Sequence, residues 1–169
     1  EDRTRVERRY DDLTKAEIKS ADLTDANRLF ADLINTSVRT DDLTRANLQF
    51  PDLPGANLQY TDLTREYHKY DDLTGADLRY ADLTNANIRS ADLTDANLLF
   101  AALINTNFLS ADLTRANLQS TDLTGANLQS TDLTRASLNY ADLTGADLRS
   151  ADLTNANIRS ADLTDADLQ

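Results

Sequence analysis

The sequence predicts an all-β solenoid, and three observations predict it. A Leu or close relative returns every five residues along nearly the whole chain, as in Ala21-Asp22-Leu23-Thr24-Asp25 and Ala116-Asn117-Leu118-Gln119-Ser120. A small residue usually stands two places before it, and the register runs unbroken from about Asp11 to Gln169. On a helix, five residues at about 100° each carry successive leucines about 140° apart, so they sweep round the cylinder and make no stripe. In a straight strand the side-chain period is two, and a step of five would throw alternate leucines onto opposite faces. A chain that turns a corner in the same sense every five residues points each Leu at one shared axis.

The unit reads as a small residue, Asp or Asn, Leu or Phe, a small polar residue, then a variable one. This pattern resembles the pentapeptide repeat. The resemblance implies a right-handed quadrilateral parallel β-helix with four pentapeptides per coil, the central Leu and the small residue two before it facing inward and the other three facing out. On that implication 169 residues make about eight coils, and at about 4.8 Å per coil the rod stands about 40 Å tall.

Residues 1–10 read as a polar N-terminal cap over the first coil, arginine-rich and without Leu. Residues 11–169 read as a single solenoid domain. At the other end Ala166-Asp167-Leu168-Gln169 is still in full repeat. An open coil face exposes apolar side chains and unpaired backbone, so the expectation is an end-to-end homodimer through that coil, a continuing segment, or fraying.

Inside, Leu23, Leu33, Leu43, Leu48, Leu53, Leu58 and Leu63 and their successors are expected to stack as apolar columns, with Ala26, Ala46, Ala56, Ala76 and Ala86 filling the tighter positions. Thr at the fourth place, as in Thr24, Thr44, Thr64 and Thr84, suits extended geometry with outward hydroxyl ladders.

Outside, Asp holds the second place of almost every odd unit. Folding in twenties sorts these into two acidic columns. One holds Asp22, Asp42, Asp62, Asp82, Asp122, Asp142 and Asp162, interrupted by Ala102; the other holds Asp12, Asp32, Asp52, Asp72, Asp92, Asp112, Asp132 and Asp152. Like charges at the coil spacing repel unless hydrogen bonds or counterions offset them. Two roles stand open: carboxylates that tie down the corner backbone, or a charged rod resembling the phosphate rows of a duplex. Arg79, Arg89, Arg149 and Arg159 interrupt the acidic rows.

Aromatics fall almost entirely at the variable fifth place. Tyr10, Phe30, Phe50 and Tyr70 share one expected column, and Tyr60, Tyr80, Phe100 and Tyr140 another. They are candidates for a partner-binding stripe, against the plainer role of packing one coil corner on the next. Leu29, Ile34, Leu99, Ile104 and Leu109 add apolar side chains at places the pattern turns outward, so a patch is expected around Phe30 and Phe100.

The first half breaks its own pattern. Arg3, Arg8, Arg28 and His68 stand where Leu is expected, Asp11, Asp41, Asp71 and Glu66 where Ala is expected, and Pro51 and Pro54 interrupt a unit. Buried charges must pair or neutralise, and Arg8 with Asp11 and His68 with Asp71 have the spacing to do so. The unit Glu66-Tyr67-His68-Lys69-Tyr70 reads as an outward recognition loop or as a locally irregular coil.

A longer repeat overlies the short one: residues 21–90 and 91–160 are identical at most positions, and Ala81 to Ala96 recurs unchanged at Ala151 to Ala166. This reads as recent duplication or a consensus-like design. Seventy residues are three and a half coils, so equivalent positions in the two copies face opposite sides.

Composition narrows the function. With no Cys and a single His, neither thiolate nor histidine-cluster metal sites are expected. The four glycines are scattered one per unit, unlike a phosphate-binding loop, and no carboxylate pair is singled out as acid and base. No catalytic, metal or cofactor site is expected, and no cofactor. The net charge of -12 disfavours nucleic acid and anionic membrane and favours basic or DNA-binding proteins. No apolar run approaches the roughly 20 residues that span a bilayer, and no signal peptide is visible. A soluble, by default cytoplasmic, molecule is expected. With no Met, the chain is expected to be processed or trimmed.

The function expected is that of a non-enzymatic rigid scaffold or protein-protein interaction module of unidentified partner. The resemblance also implies a rival, because some pentapeptide repeat proteins are thought to mimic DNA and occupy the DNA-binding surface of gyrase. This chain departs from that subfamily in showing no C-terminal helical dimerisation segment and no inserted loop.

Overall fold

A computed structural model describes the backbone of residues 11–12, 17–19, 27–29, 31–32, 37–39 and 47–49, residues 55, 58, 59 and 63, and the continuous chain 72–169. The first part holds six short strands: β1 (Asp11–Asp12), β2 (Glu17–Lys19), β3 (Asn27–Leu29), β4 (Ala31–Asp32), β5 (Ser37–Arg39) and β6 (Asn47–Gln49). They pair in parallel as β1 with β4, β2 with β5 and β3 with β6. Asp11 lies beside Ala31, Glu17 beside Ser37 and Asn27 beside Asn47, so one coil takes twenty residues.

The same step governs the rest, where single parallel bridges link Asp72 to Asp92, Asp77 to Asn97, Asp82 to Ala102 and Asn87 to Asn107, and so on to Asp147 and Asp167. Four bridges per coil define four faces. The molecule is a right-handed quadrilateral β-helix, as the resemblance to the pentapeptide repeat implied. A bridge rarely lengthens into a strand because a corner interrupts the chain after every few extended residues.

The corner is built from the fourth and fifth places. Leu73 O accepts a hydrogen bond from Ala76 N at 3.0 Å, and the same closure recurs at Leu83 with Ala86 and Leu93 with Ala96. From Gly75 to Asp165, the fifth residue of each unit has φ between +52° and +65°. That is the conformation a type II turn requires at its third residue, and Gly, Asn and Asp adopt it most readily. The recurrence of Gly, Asn, Asp and Ser at the variable fifth place therefore has a backbone cause. It also corrects the picture of Thr at the fourth place: Thr74 and its counterparts sit in the turn, and the Thr124, Thr144 and Thr164 hydroxyls donate to the carboxylates of Asp122, Asp142 and Asp162 in their own units. Among the described residues these hydroxyls do not form ladders between coils.

Each unit is also tied to the coil above. Leu78 N donates to Asn97 O at 2.7 Å, Asn97 N to Ala76 O at 2.8 Å, and Tyr80 N to Leu99 O at 3.1 Å. The backbone is thus satisfied around the perimeter, which leaves the axis free for hydrocarbon. Leu73, Leu78, Leu83, Ile88, Leu93, Leu98, Leu103, Phe108, Leu113 and Leu118 are at most 3% exposed, with the first-place alanines packed between them. Where Thr replaces Ala, a carbonyl takes its hydroxyl: Thr106 donates to Leu83 O at 2.7 Å, Thr121 to Leu118 O at 2.8 Å and Thr131 to Phe108 O at 3.1 Å.

Candidate interaction surface

The second-place Asp and Asn side chains have a shared task. Asp72 Oδ1 accepts the Thr74 amide at 2.9 Å, Asp82 the Thr84 amide at 3.0 Å, and Asp92 the Thr94 amide at 2.9 Å. Asn97, Asn107 and Asn117 do the same for Leu99, Leu109 and Gln119. One carboxylate oxygen is therefore committed to the corner, the local role open to Asp and Asn in turns. The bridge register places Asp72, Asp92, Asp112, Asp132 and Asp152 on one face and Asp82, Ala102, Asp122, Asp142 and Asp162 on the face opposite. Asp32 of β4 pairs with Asp12 of β1 in the same step. Asp22, Asp42, Asp52 and Asp62 lie outside the described residues.

Arginines pair with acids outside these two columns. Arg79 pairs with Asp77 at 2.7 Å, Arg149 with Asp147 at 2.6 Å, and Arg115 with Asp95 at 2.6 Å. Hydrogen bonding to Arg115 holds the Asp95 carboxyl below the usual carboxylate range, and Arg149 does the same for Asp147. The Thr164 hydroxyl and amide lower Asp162. Most of the charge on the two acidic faces still has no cationic partner among the described residues.

Tyr80 and Phe100 stack with ring centroids 5.3 Å apart and planes 17° from parallel, and both remain nearly half exposed. Tyr140 lies farther along the same corner and is 64% exposed. The rings thus pack coil on coil and still keep an exposed face. Leu99, Ile104 and Leu109 are half-buried instead of turned fully out, because stacked neighbours cover one edge of any outward side chain. With Phe100 and half-buried Ala102 they still form an apolar belt on one coil. Phe30, Phe50, Tyr60, Tyr67 and Tyr70 lie outside the described residues, as do Ile34, His68, Glu66 and residues 1–10; Leu29 and Arg28 are described in backbone only.

No group of three His, Cys, Asp or Glu side chains that could hold a metal ion occurs among the described residues, and none of their helices is long and apolar enough to cross a membrane. On the last coil, Ile158 and Leu168 are 41% and 55% exposed, and Leu153 and Leu163 are only partly covered.

The family profile described as pentapeptide repeats matches in eight copies, over residues 42–65, 72–109, 91–129, 111–149 and 131–169. The chain belongs to the pentapeptide repeat family. It is similar to the crystal structure of Rfr23, a pentapeptide repeat protein from the cyanobacterium Cyanothece 51142, at 30% identity and TM-score 0.56, over 70% of this chain and 91% of that one. It is also similar to HetL, a pentapeptide repeat protein involved in heterocyst differentiation regulation from Nostoc sp. strain PCC 7120, at 31% identity over 92% of this chain and 82% of that one, with TM-score 0.35. A trypsin-treated form of QnrB1, a plasmid-mediated fluoroquinolone resistance protein, shares the fold at TM-score 0.60 and 19% identity, over 94% of this chain and 81% of that one. A search of curated proteins returned no match.

Proposed function

We propose that this pentapeptide repeat β-helix is a non-enzymatic, rigid scaffold that binds a protein partner through the corner column of Tyr80, Phe100 and Tyr140 and the adjoining belt of Leu99, Ile104 and Leu109. The observation that carries the reading is the Tyr80 and Phe100 stack: two rings already ordered against each other, yet nearly half exposed. Aromatic side chains fixed before binding lose little entropy on contact, which is what makes such residues effective anchors. The unidentified partner would be read by a pull-down comparing the intact chain with Tyr80→Ser, Phe100→Ser and Tyr140→Ser. Unchanged partners would remove the column from the reading.

A second reading, a DNA-mimicking binder of gyrase or another topoisomerase, is favoured by the two opposed acidic faces carrying Asp72, Asp92, Asp112, Asp132 and Asp152 and Asp82, Asp122, Asp142 and Asp162. Commitment of Oδ1 to the corner gives those acids a sufficient structural purpose, so this reading stands second. A gyrase supercoiling assay separates the two: inhibition or protection supports the mimic, and no effect supports the scaffold. A further partner is a second copy of the chain seated on the exposed Ile158 and Leu168 coil. Light scattering giving twice the chain mass supports that pairing, and a clean monomer with an ordered last coil counts against it.

A further inference from the structure

We propose that the corner column holds a slot over Ser120, between the rings of Phe100 and Tyr140, that takes an arginine side chain from a basic segment of a protein partner. The proposal rests on the interaction-module reading above and names the chemistry that reading leaves open.

Residues 80, 100, 120 and 140 occupy the same corner of successive coils. Tyr80 N donates to Leu99 O, Phe100 N to Gln119 O, Ser120 N to Asn139 O and Tyr140 N to Arg159 O, and their φ angles are +61°, +60°, +52° and +60°. Four side chains therefore leave the rod from equivalent backbone. Tyr80 and Phe100 stack; at Ser120 the next ring is missing. Exposure records the gap: Phe100, with a ring on one side, is 49% exposed, whereas Tyr140, between Ser120 and Ser160, is 64% exposed.

Two coil steps of about 4.8 Å put Phe100 and Tyr140 about 10 Å apart along the axis. A planar group inserted midway meets each ring at about 5 Å, within the range of stacked centroids. The slot thus accepts one flat group.

Nearby charge selects which. The adjoining face carries Asp122 and Asp142, two residues along the chain from Ser120 and Tyr140. Oδ1 of each is held by Thr124 or Thr144, and neither carboxylate forms an ion pair among the described residues. A guanidinium is planar, stacks on aromatic faces and pairs with carboxylates through parallel N–H donors. An ammonium reaches the acids without stacking flat, and a phenyl ring stacks without engaging them. The net charge of -12 draws basic segments to the rod.

The test is a titration of the full chain, with labelled aromatic rings, by N-acetyl glycyl-arginyl-glycine amide and by its lysine and phenylalanine counterparts, followed by NMR. The arginine peptide should shift the Phe100 and Tyr140 ring signals saturably, with the other two at least about 5-fold weaker. Ser120→Tyr, which fills the gap with a residue this corner already carries at 80 and 140, should abolish the response, and Tyr140→Leu should lower it by removing one wall. Asp122→Asn with Asp142→Asn should weaken binding, most at low salt. Absence of ring shifts, equal binding of the phenylalanine peptide, or undiminished binding by a folded Ser120→Tyr variant would each overturn the slot. Partner loss on Phe100→Ser without any arginine response would overturn the slot alone and leave the interaction reading standing.

Discussion

Arg115 grips Asp95 across one coil step: its Nε and Nη2 donate to the two carboxylate oxygens at 2.6 Å each, in the parallel fork that guanidinium and carboxylate favour. Both side chains are about half exposed, so the pair orders the corner more than it stabilises the fold. The twenty-residue register makes it: two fifth-place residues far apart in sequence become nearest neighbours.

The hydrogen bond to Arg115 lowers the Asp95 carboxyl, with its charge contributing in the same direction. A depressed carboxylate contributes stability above its unfolded value, about 3.9, and loses that contribution as pH falls through the lower folded value. In an NMR titration, Asp95 is expected to protonate at lower pH in the native chain than in Arg115→Gln. Identical midpoints would show that the pair does not persist in solution.

At the axis, Leu118→Ala is expected to cost about 2 to 5 kcal/mol, since Leu118 is fully buried and a stacked column relaxes poorly into a cavity. Leu153→Ala, on the partly open last coil, should cost less. Chemical denaturation of the two variants would read the difference, and equal losses would contradict a core continuous through the middle coils.

Gly125 and Gly145 share a φ of +65° but differ in surroundings. A Cβ at 125 would lie 2.5 Å from Asn105 Oδ1, whereas one at 145 meets nothing within 4 Å. Gly145→Ala should cost about 1 to 2 kcal/mol from the left-handed backbone alone. Gly125→Ala should cost about the same, because Asn105 Oδ1 is the end of a flexible side chain that can swing aside. Thermal unfolding of the two variants tests this; a clearly larger loss at Gly125 would show that the Asn105 side chain is held in place.

Ala102 breaks the series in which Asp82 and Asp122 accept the amides of Thr84 and Thr124. Ala102→Asn supplies the acceptor to the Ile104 amide and should stabilise by about 0.5 to 1.5 kcal/mol. Ala102→Asp makes the same bond but sits between two carboxylates, so it should gain less at low salt and approach Asn at high salt. Denaturation midpoints at two ionic strengths distinguish them.

Much of the architecture was legible before any coordinates. Leu at every fifth place, with Ala two before it, was enough to send both residue types to the axis, because only a chain that bends at that interval can bury them together. Resemblance to the repeat family then supplied the coil of twenty, and with it the Asp columns and the Tyr80 and Phe100 alignment. The corner chemistry was less visible. Thr124 was expected to face a neighbouring coil and instead serves Asp122, since a hydroxyl two residues from a carboxylate in a turn has a nearer acceptor than any Thr above it.

The sequence by itself determined the period, the identity of the buried side chains and the sign of the surface charge, because each is a property of spacing and composition that survives any detail of packing. Tertiary structure alone decided that the fifth residue is left-handed, that Leu99, Ile104 and Leu109 are half-covered, and that the Tyr80 and Phe100 rings stack while staying nearly half exposed. Those depend on what lies one coil away, and a neighbour twenty residues off exerts its steric and electrostatic effect only once the backbone has closed the turn.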